Sequence, residues 1–421
     1  MVAPRGPVAP HLAQLELTYA TEDRLPEFLA AVSRGFHADF DESLREPHRQ
    51  VIEPDRSFGF TAAGRWVSTC GAFTRRLTVP GGQVPVAAVT IVTVNPSYRR
   101  RGLLTAMMKH QLGDIVARGV EPLALLWASE TMIYGRFGYG HAAPRAALSG
   151  QTRSTTFLPT VPPGEGSVGE VERADAEPVI VALHTQLLPD RPGALDRAPA
   201  WWEVTLYDPE QWRSGWAARR YALHYDRAGR PDGYVVFRVK EGMEATGPTG
   251  EVEIIEIDAV TPSAYAALWR FVLDLDLVRT YRYRVASVGE PLRHLVADQR
   301  SIATQILDGT FARLVDVRRA LTSRSYSADV DVVIGIRDAL LPANDGAFRL
   351  EAGTDGSRVS RARRRADLTL DIRELGSIYL GGVSLHDLHR AGMVAERTSG
   401  SVAAVAAAFS WHRPPLTPDH F

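Results

Sequence analysis

The stretch VTVNPSYRRRGLL, residues 92–104, decides how this chain is read. Val92, Thr93 and Val94 have strand character and run into a loop carrying Arg99, Arg100 and Arg101. Gly102 follows. Leu103 and Leu104 then open a run in which Met107, Met108, Leu112, Ile115 and Val116 recur at the spacing of an amphipathic helix. The pattern predicts strand, arginine-rich loop, glycine and helix start in immediate succession. The first turn of a helix presents N–H groups without intrahelical partners at the positive end of its dipole, which makes an anion site. A glycine there lets backbone approach a phosphate, and guanidinium groups add charge-assisted hydrogen bonds. A pyrophosphate suits this chemistry. The spacing is neither a Walker A loop nor a GxGxxG fingerprint, because it holds one glycine and no Lys-Ser/Thr pair.

The triplet by itself is weak testimony. Of 48 Lys and Arg residues only Lys109 and Lys240 are lysine, so arginine is the default cation, and a solvated loop is the plainer reading of three in a row. No basic stripe interleaved with aromatics points to nucleic acid. The next segment changes the balance. Residues 123–129 form a short apolar run, as in a buried strand, and ASETMIYGRFGYG follows at 128–140. Ser129 stands where a helix N-cap would, Glu130 in the first turn, and Tyr134 on a short helix that Gly138 would close.

The two segments resemble the signatures V-x-P-x-x-R-R-x-G-L/I and Y-x-R-x-G-F/Y of the GCN5-related N-acetyltransferase (GNAT) superfamily, in the right order and with a similar gap. RRRGLL, ASE, IYGRFGYG and the later RAPAWW (197–202), in a chain of this length, resemble more closely the Eis (enhanced intracellular survival) acetyltransferases of actinobacteria. The likeness spans essentially the whole chain. It implies an α+β fold: tandem GNAT folds, each a mixed central sheet flanked by helices, then a sterol-carrier-like α/β domain. The expected limits are 1–153 for an N-terminal GNAT domain with the acetyl-CoA site, 168–300 for a central GNAT-like domain, and 301–421 for the sterol-carrier-like domain ending in an active-site tail. The central region has no R-x-x-G-L/I loop of its own.

The same resemblance assigns roles. The backbone of Val92, Thr93 and Val94 would meet the pantetheine arm and the acetyl carbonyl. Arg100, Arg101, Gly102, Leu103, Leu104 and Thr105 would cradle the pyrophosphate, and Ser129 and Glu130 would line the far side of the cofactor. Tyr134 would be the general acid toward the departing thiolate, and the carboxylate of Phe421 the general base. The implied reaction moves acetyl from acetyl-CoA, as co-substrate, to primary amines, with aminoglycoside-like polyamines as first acceptor and protein lysines as the alternative. No metal is implied, and family members form hexamers, so a homo-oligomer is expected. The rival reading is a lipid or protein carrier with a relic acetyltransferase domain. A relic should have lost the loop, Tyr134 or the terminal carboxylate, and all three are present.

Composition bounds the rest. A length of 421 residues suggests about three domains, and 45% hydrophobic with 23% charged residues describes an ordinary globular protein. A net charge of −1 supplies no field for nucleic acid or anionic membranes. The single cysteine, Cys70, excludes an intramolecular disulfide framework and a Cys-rich zinc site, and its apolar neighbours predict a buried strand. The N-terminus has no apolar signal core, and no stretch approaches the ~18 apolar residues of a membrane span, so a cytoplasmic protein is expected.

Coarse patterning predicts a helix over 22–36, strands over 65–77 and 85–94 around the turn Pro80-Gly81-Gly82, and a linker over 154–167. Further on it predicts a helix over 179–188 with Pro178 in its first turn, strands over 233–239 and 252–259, and a helix starting at Thr261. Strands over 327–336 and 366–372 and helices over 375–380 and 401–411 complete it. Tyr139, Trp201 and Trp202 read as packing, His386 and His389 as solvated, and 358–365 as an exposed basic hairpin. His37, Asp39, Asp41 and Glu42 either border the acceptor pocket or form a solvated loop. The tail PPLTPDHF is stiffened by three prolines. An α-carboxyl pKa near ~3.5 is low for a base, so a water relay or an upward shift is needed. Asp419 and His420 are rival bases beside it.

Overall fold

The computed structural model describes residues 14–42, 46–162, 164–353 and 356–421. The N-terminal stretch read for a signal sequence, like the start of the first domain, lies mostly outside these residues.

The scaffold of the first region is the hairpin Ser68–Val79 and Gly82–Val94, closed at Pro80-Gly81 with Val79 opposite Gly82. Its alternate residues feed two faces, so most of the first strand and the middle of the second are buried. From Gly82–Val94 the chain passes through helix Leu103–Arg118 to strand Leu123–Trp127, which returns parallel to it. The parallel pairing covers only Val86–Val89 against Leu123–Leu126. Beyond Val89 the strands part: Thr93 and Val94 keep a partner on the hairpin side alone, and Val92 falls in the gap of that register. The hairpin register shifts at the same place: Thr69 opposes Thr93, but Gly71 opposes Thr90. The extra residue is accommodated with Ile91 at φ 49, a bulge that bends the strand away from its neighbour. Thr69 fixes the bulge, its hydroxyl donating to the Ile91 carbonyl at 2.7 Å.

The central region repeats this plan. Strand Gly250–Ala259 leads through helix Pro262–Leu273 to the parallel strand Val278–Ala286, and a register shift places Val236 opposite Glu256 but Phe237 opposite Ile254. The two halves share one 13-stranded sheet, joined where Val278–Ala286 pairs antiparallel with Gly140–Gln151. The third region adds a separate five-stranded sheet built on Val330–Arg337 and covered by helices Ile372–Ile378 and Ser401–Phe409. This is an α+β protein with the architecture that the resemblance implies: two like halves, each a mixed sheet flanked by helices, followed by a third domain with its own sheet.

Three details differ from the sequence reading. The expected boundary at 300/301 falls between no two sheets but would cut one: strand Ile302–Leu314 lies between Leu123–Trp127 and Gly140–Gln151, inside the first half, and the third sheet begins only at Val330. Pro178 is not in a first turn, because the helix runs Arg173–Leu187 and holds the proline in its interior. Ser129 caps no helix. Residues 129–133 are bends and turns, and the short 3-10 segment starts at Tyr134 and closes at Gly138, φ 81, as expected.

Candidate active site

The parted strands open a cleft of about 880 Å³. Val92, Thr93 and Val94 form one wall, and Gly102, Leu103, Leu104 and Thr105, at the head of helix Leu103–Arg118, form its floor. Gly102 is the N-cap at φ 81, and no side chain caps the helix. That backbone disfavours any residue with a Cβ, and no atom would lie within 4 Å of a Cβ there. The uncapped first-turn N–H groups therefore border open space. Arg100 lines the same cleft at φ 62, a costly conformation for a non-glycine residue and of a kind that gathers at ligand sites.

Arg101 is not in the cleft. Its guanidinium lies 5.1 Å from the centre of the Tyr98 ring and faces a separate cavity of about 630 Å³ together with Arg34 and Arg65. Arg99 lines the cleft instead. Ser129 and Glu130 stand on the opposite rim, exposed.

Tyr134 projects from the 3-10 segment into the cleft, with its ring edge-on to Tyr139 at 6.1 Å. Burial, then the neighbouring Cys70 and Glu130, push its pKa up to about 12, so the phenol keeps its proton at any ordinary pH. Tyr139 is fully buried and lines no part of the cleft, which suits packing.

The C-terminal tail crosses from the third domain and ends in this cleft. His420 and Phe421 line it, and the Phe421 ring packs among Phe73, Ala88 and Trp201. Trp127 anchors the approach: its indole Nε1–H donates to the Asp419 carbonyl at 2.8 Å, and its ring stacks on His420. The structure thus gathers every sequence-selected residue except Arg101. It adds Phe36, Trp127, Ile133 and Arg136. Arg136 stood in plain view within the second motif. Trp127 and Phe36 carried no local signal, because what places them is the opening of the sheet. His37 lines the cleft, whereas Asp39, Asp41 and Glu42 are exposed beyond it. Among the described residues no group of three or more metal-ligating side chains occurs, and no helix is long and apolar enough to cross a membrane.

Comparison with known proteins agrees with this geometry. Residues 16–142 and 193–314 each match a model described as an acetyltransferase (GNAT) domain, and residues 317–418 match a sterol carrier protein domain. N-acetyltransferase Eis of Mycobacterium tuberculosis is 32% identical, with 82% of this chain and 83% of the relative covered. The chain belongs to the Eis family of N-acetyltransferases. An uncharacterised N-acetyltransferase of Streptomyces avermitilis is 42% identical over 90% of this chain and 92% of its own length. The crystal structure of Eis1 from Mycobacterium abscessus superposes with a TM-score of 0.82 at 31% identity, covering 97% of this chain and all of that one. As an Eis-type enzyme the protein is an acyltransferase. Its GNAT architecture uses acetyl-CoA as co-substrate, and that activity requires an acceptor.

Proposed function

We propose that the cleft binds acetyl-CoA along residues 92–105 and transfers the acetyl group to a primary amine of an aminoglycoside-like polyamine. The observation that carries this reading is the convergence of an uncapped helix start, a bulged strand edge, a buried phenol and the end of the chain on one cavity. The pyrophosphate fits the first-turn N–H groups at Gly102–Thr105 with Arg99 and Arg100 beside them. The strand edge at Val92–Val94 supplies N–H groups for the thioester oxygen as the carbonyl turns tetrahedral. The amine nitrogen forms the new C–N bond and gives a proton to the Phe421 carboxylate, directly or through water. The C–S bond breaks, and Tyr134 donates to the leaving sulfur.

A cationic acceptor suits a cleft whose inner end and rim carry the Phe421 carboxylate and Glu130, with Asp39 and Asp41 outside. We further infer a homo-oligomer, a hexamer by family likeness, working in a reducing cytoplasm that suits a single buried thiol. The deciding experiment is thiol release from acetyl-CoA with an aminoglycoside, a linear polyamine and a lysine peptide, using native and one-residue-extended C-termini. Extension moves the carboxylate away from the cleft. We expect turnover to vanish while acetyl-CoA still binds. Equal rates for the two forms would remove the terminal carboxylate from the mechanism, and a preference for the peptide would remove the polyamine.

A further inference from the structure

The central GNAT-like domain has no loop for a cofactor, yet its own sheet opening is occupied. Glu256 sits at the bulge there, the first paired residue beyond it, as Thr93 is in the first half. Its carboxylate accepts from Arg197 at 3.0 and 3.3 Å and from the Tyr234 hydroxyl at 2.5 Å. Arg197 lies over the Trp202 ring, 4.8 Å from its centre, so Arg197 and Trp202 of RAPAWW form one unit. The third nitrogen of the guanidinium reaches out of the domain: Nε–H donates to Asp419 Oδ1 at 2.7 Å. Both side chains are sealed from solvent, at 2% and 6% exposure.

Asp419 is two residues from the chain end, and its carbonyl is held by Trp127 of the first domain. The tail is seated further back as well. The Leu416 N–H donates to the Pro192 carbonyl at 2.9 Å, and Gly193, at φ 92, lies so close that a Cβ would stand 2.9 Å from Leu416 backbone. One residue of the tail is therefore gripped on its side chain by the central domain and on its backbone by the catalytic one. Two fixed points on Asp419 leave Phe421 only the torsions of two residues.

We propose that Arg197 is a positioning residue for the reaction: by clamping Asp419 it sets where the Phe421 carboxylate stands in the cleft, and this is what the cofactor-free domain contributes to catalysis. The inference rests on the terminal carboxylate acting as base. A general effect on folding would also follow from cutting a buried ion pair, so the test separates the two. Arg197→Met, Arg197→Lys and Asp419→Asn are made in the native chain and in the one-residue-extended chain. Each is measured for kcat, acetyl-CoA KM and the rate at which a carboxypeptidase releases the C-terminal residue.

Arg197→Met and Asp419→Asn should lower kcat by about 10²-fold with KM for acetyl-CoA unchanged, the pattern of a loss felt only in the transition state. Arg197→Lys, which keeps the charge without the fork, should recover part of the rate. The tail should become a faster carboxypeptidase substrate in proportion to the lost turnover. In the extended chain, where the carboxylate is already displaced, the same substitutions should change neither residual rate nor KM. If Arg197→Met is insoluble, Asp419→Asn carries the test alone. Native turnover in Asp419→Asn, or an equal loss of tail protection with undiminished kcat, overturns the clamp while leaving the base in place. Native turnover in the extended chain overturns the base itself.

Discussion

The imidazole of His420 lies nearly flat on the indole of Trp127, with ring centres 4.2 Å apart and planes inclined by 25°. Burial, followed by the field of Arg145, lowers the His420 pKa below the usual histidine range. The ring is therefore neutral at pH 7 and able to accept a proton, one residue from the proposed base. His420→Ala should remove the stack and loosen the tail, lowering kcat less than extension of Phe421 does. A rate as low as that of the extended chain would transfer the role of base to His420.

Tyr134→Phe keeps the ring against Tyr139 but removes the donor. Its kcat should fall by about 10²-fold with little change in acetyl-CoA KM. Tyr139→Phe should be near native in rate and no less stable, since the Tyr139 hydroxyl is buried without a hydrogen-bond partner among the described residues. With the Tyr134 pKa raised to about 12, no loss of rate from phenol ionisation should appear below pH 10. Steady-state profiles of the two variants check all of this.

Arg100 and Arg101 are neighbours in sequence and lie on different sides of the loop. Arg100→Glu should weaken acetyl-CoA binding in a calorimetric titration, because it places a carboxylate in the cleft. Arg101→Glu should have a smaller effect, because that side chain lies over Tyr98. Equal losses would mean that the loop turns over when the cofactor arrives.

One acetyl-CoA should bind per chain. In the first half the helix start at Gly102 is uncapped, whereas in the central half the Ala264 N–H donates to the Thr261 side chain at 3.1 Å, satisfying a donor that a phosphate would need. The loop before that helix is only two residues long and has no arginine. A titration that saturates at two equivalents would contradict this.

Stability should fall as the medium is acidified below neutrality. Burial depresses His184 to about 4, with Arg197 adding to it, and also lowers His141 and His420. Between pH 6.5 and 4 the unfolded chain takes up protons that the folded chain refuses, so unfolding is favoured as pH drops. His184 alone accounts for about 3 kcal/mol across that window. Glu256, held near 2 by Arg197 against the cost of burial, extends the loss to lower pH. Thermal melts of native protein and of His184→Gln should converge as pH falls, the variant showing the flatter profile.

The sequence announced those parts of the site that are built from neighbours along the chain. Helix Leu103–Arg118, the Pro80-Gly81 turn and the Gly138 stop follow from local period and from glycine, and the structure has them within a few residues. What was illegible depends on distant pairing. Nothing in Ile302–Leu314 says that its partners lie more than 150 residues upstream, and its first half is largely exposed, so its pattern does not declare a buried central strand. Arg101 misled for another reason. Residues 100 and 101 have the same side chain, and only the left-handed turn at Arg100 sends them apart. Pro178 was placed by the habit of proline at helix starts, whereas the packing of Ala176, Ile180 and Leu183 carries the helix through it.

Strand Ile302–Leu314 governs how the protein comes into being. Emerging from the ribosome, the catalytic half has its hairpin, its helix and Tyr134 in hand by residue 151, yet the neighbouring edges of Leu123–Trp127 and Gly140–Gln151 stay unpaired until residue 314 arrives. At ordinary rates of synthesis that wait is roughly 10–30 s, during which two apolar strand edges are open to foreign partners. A gene fragment cut after the first acetyltransferase motif pair would lack this strand and leave both edges unpaired, so a cut between the two halves does not yield a closed catalytic sheet.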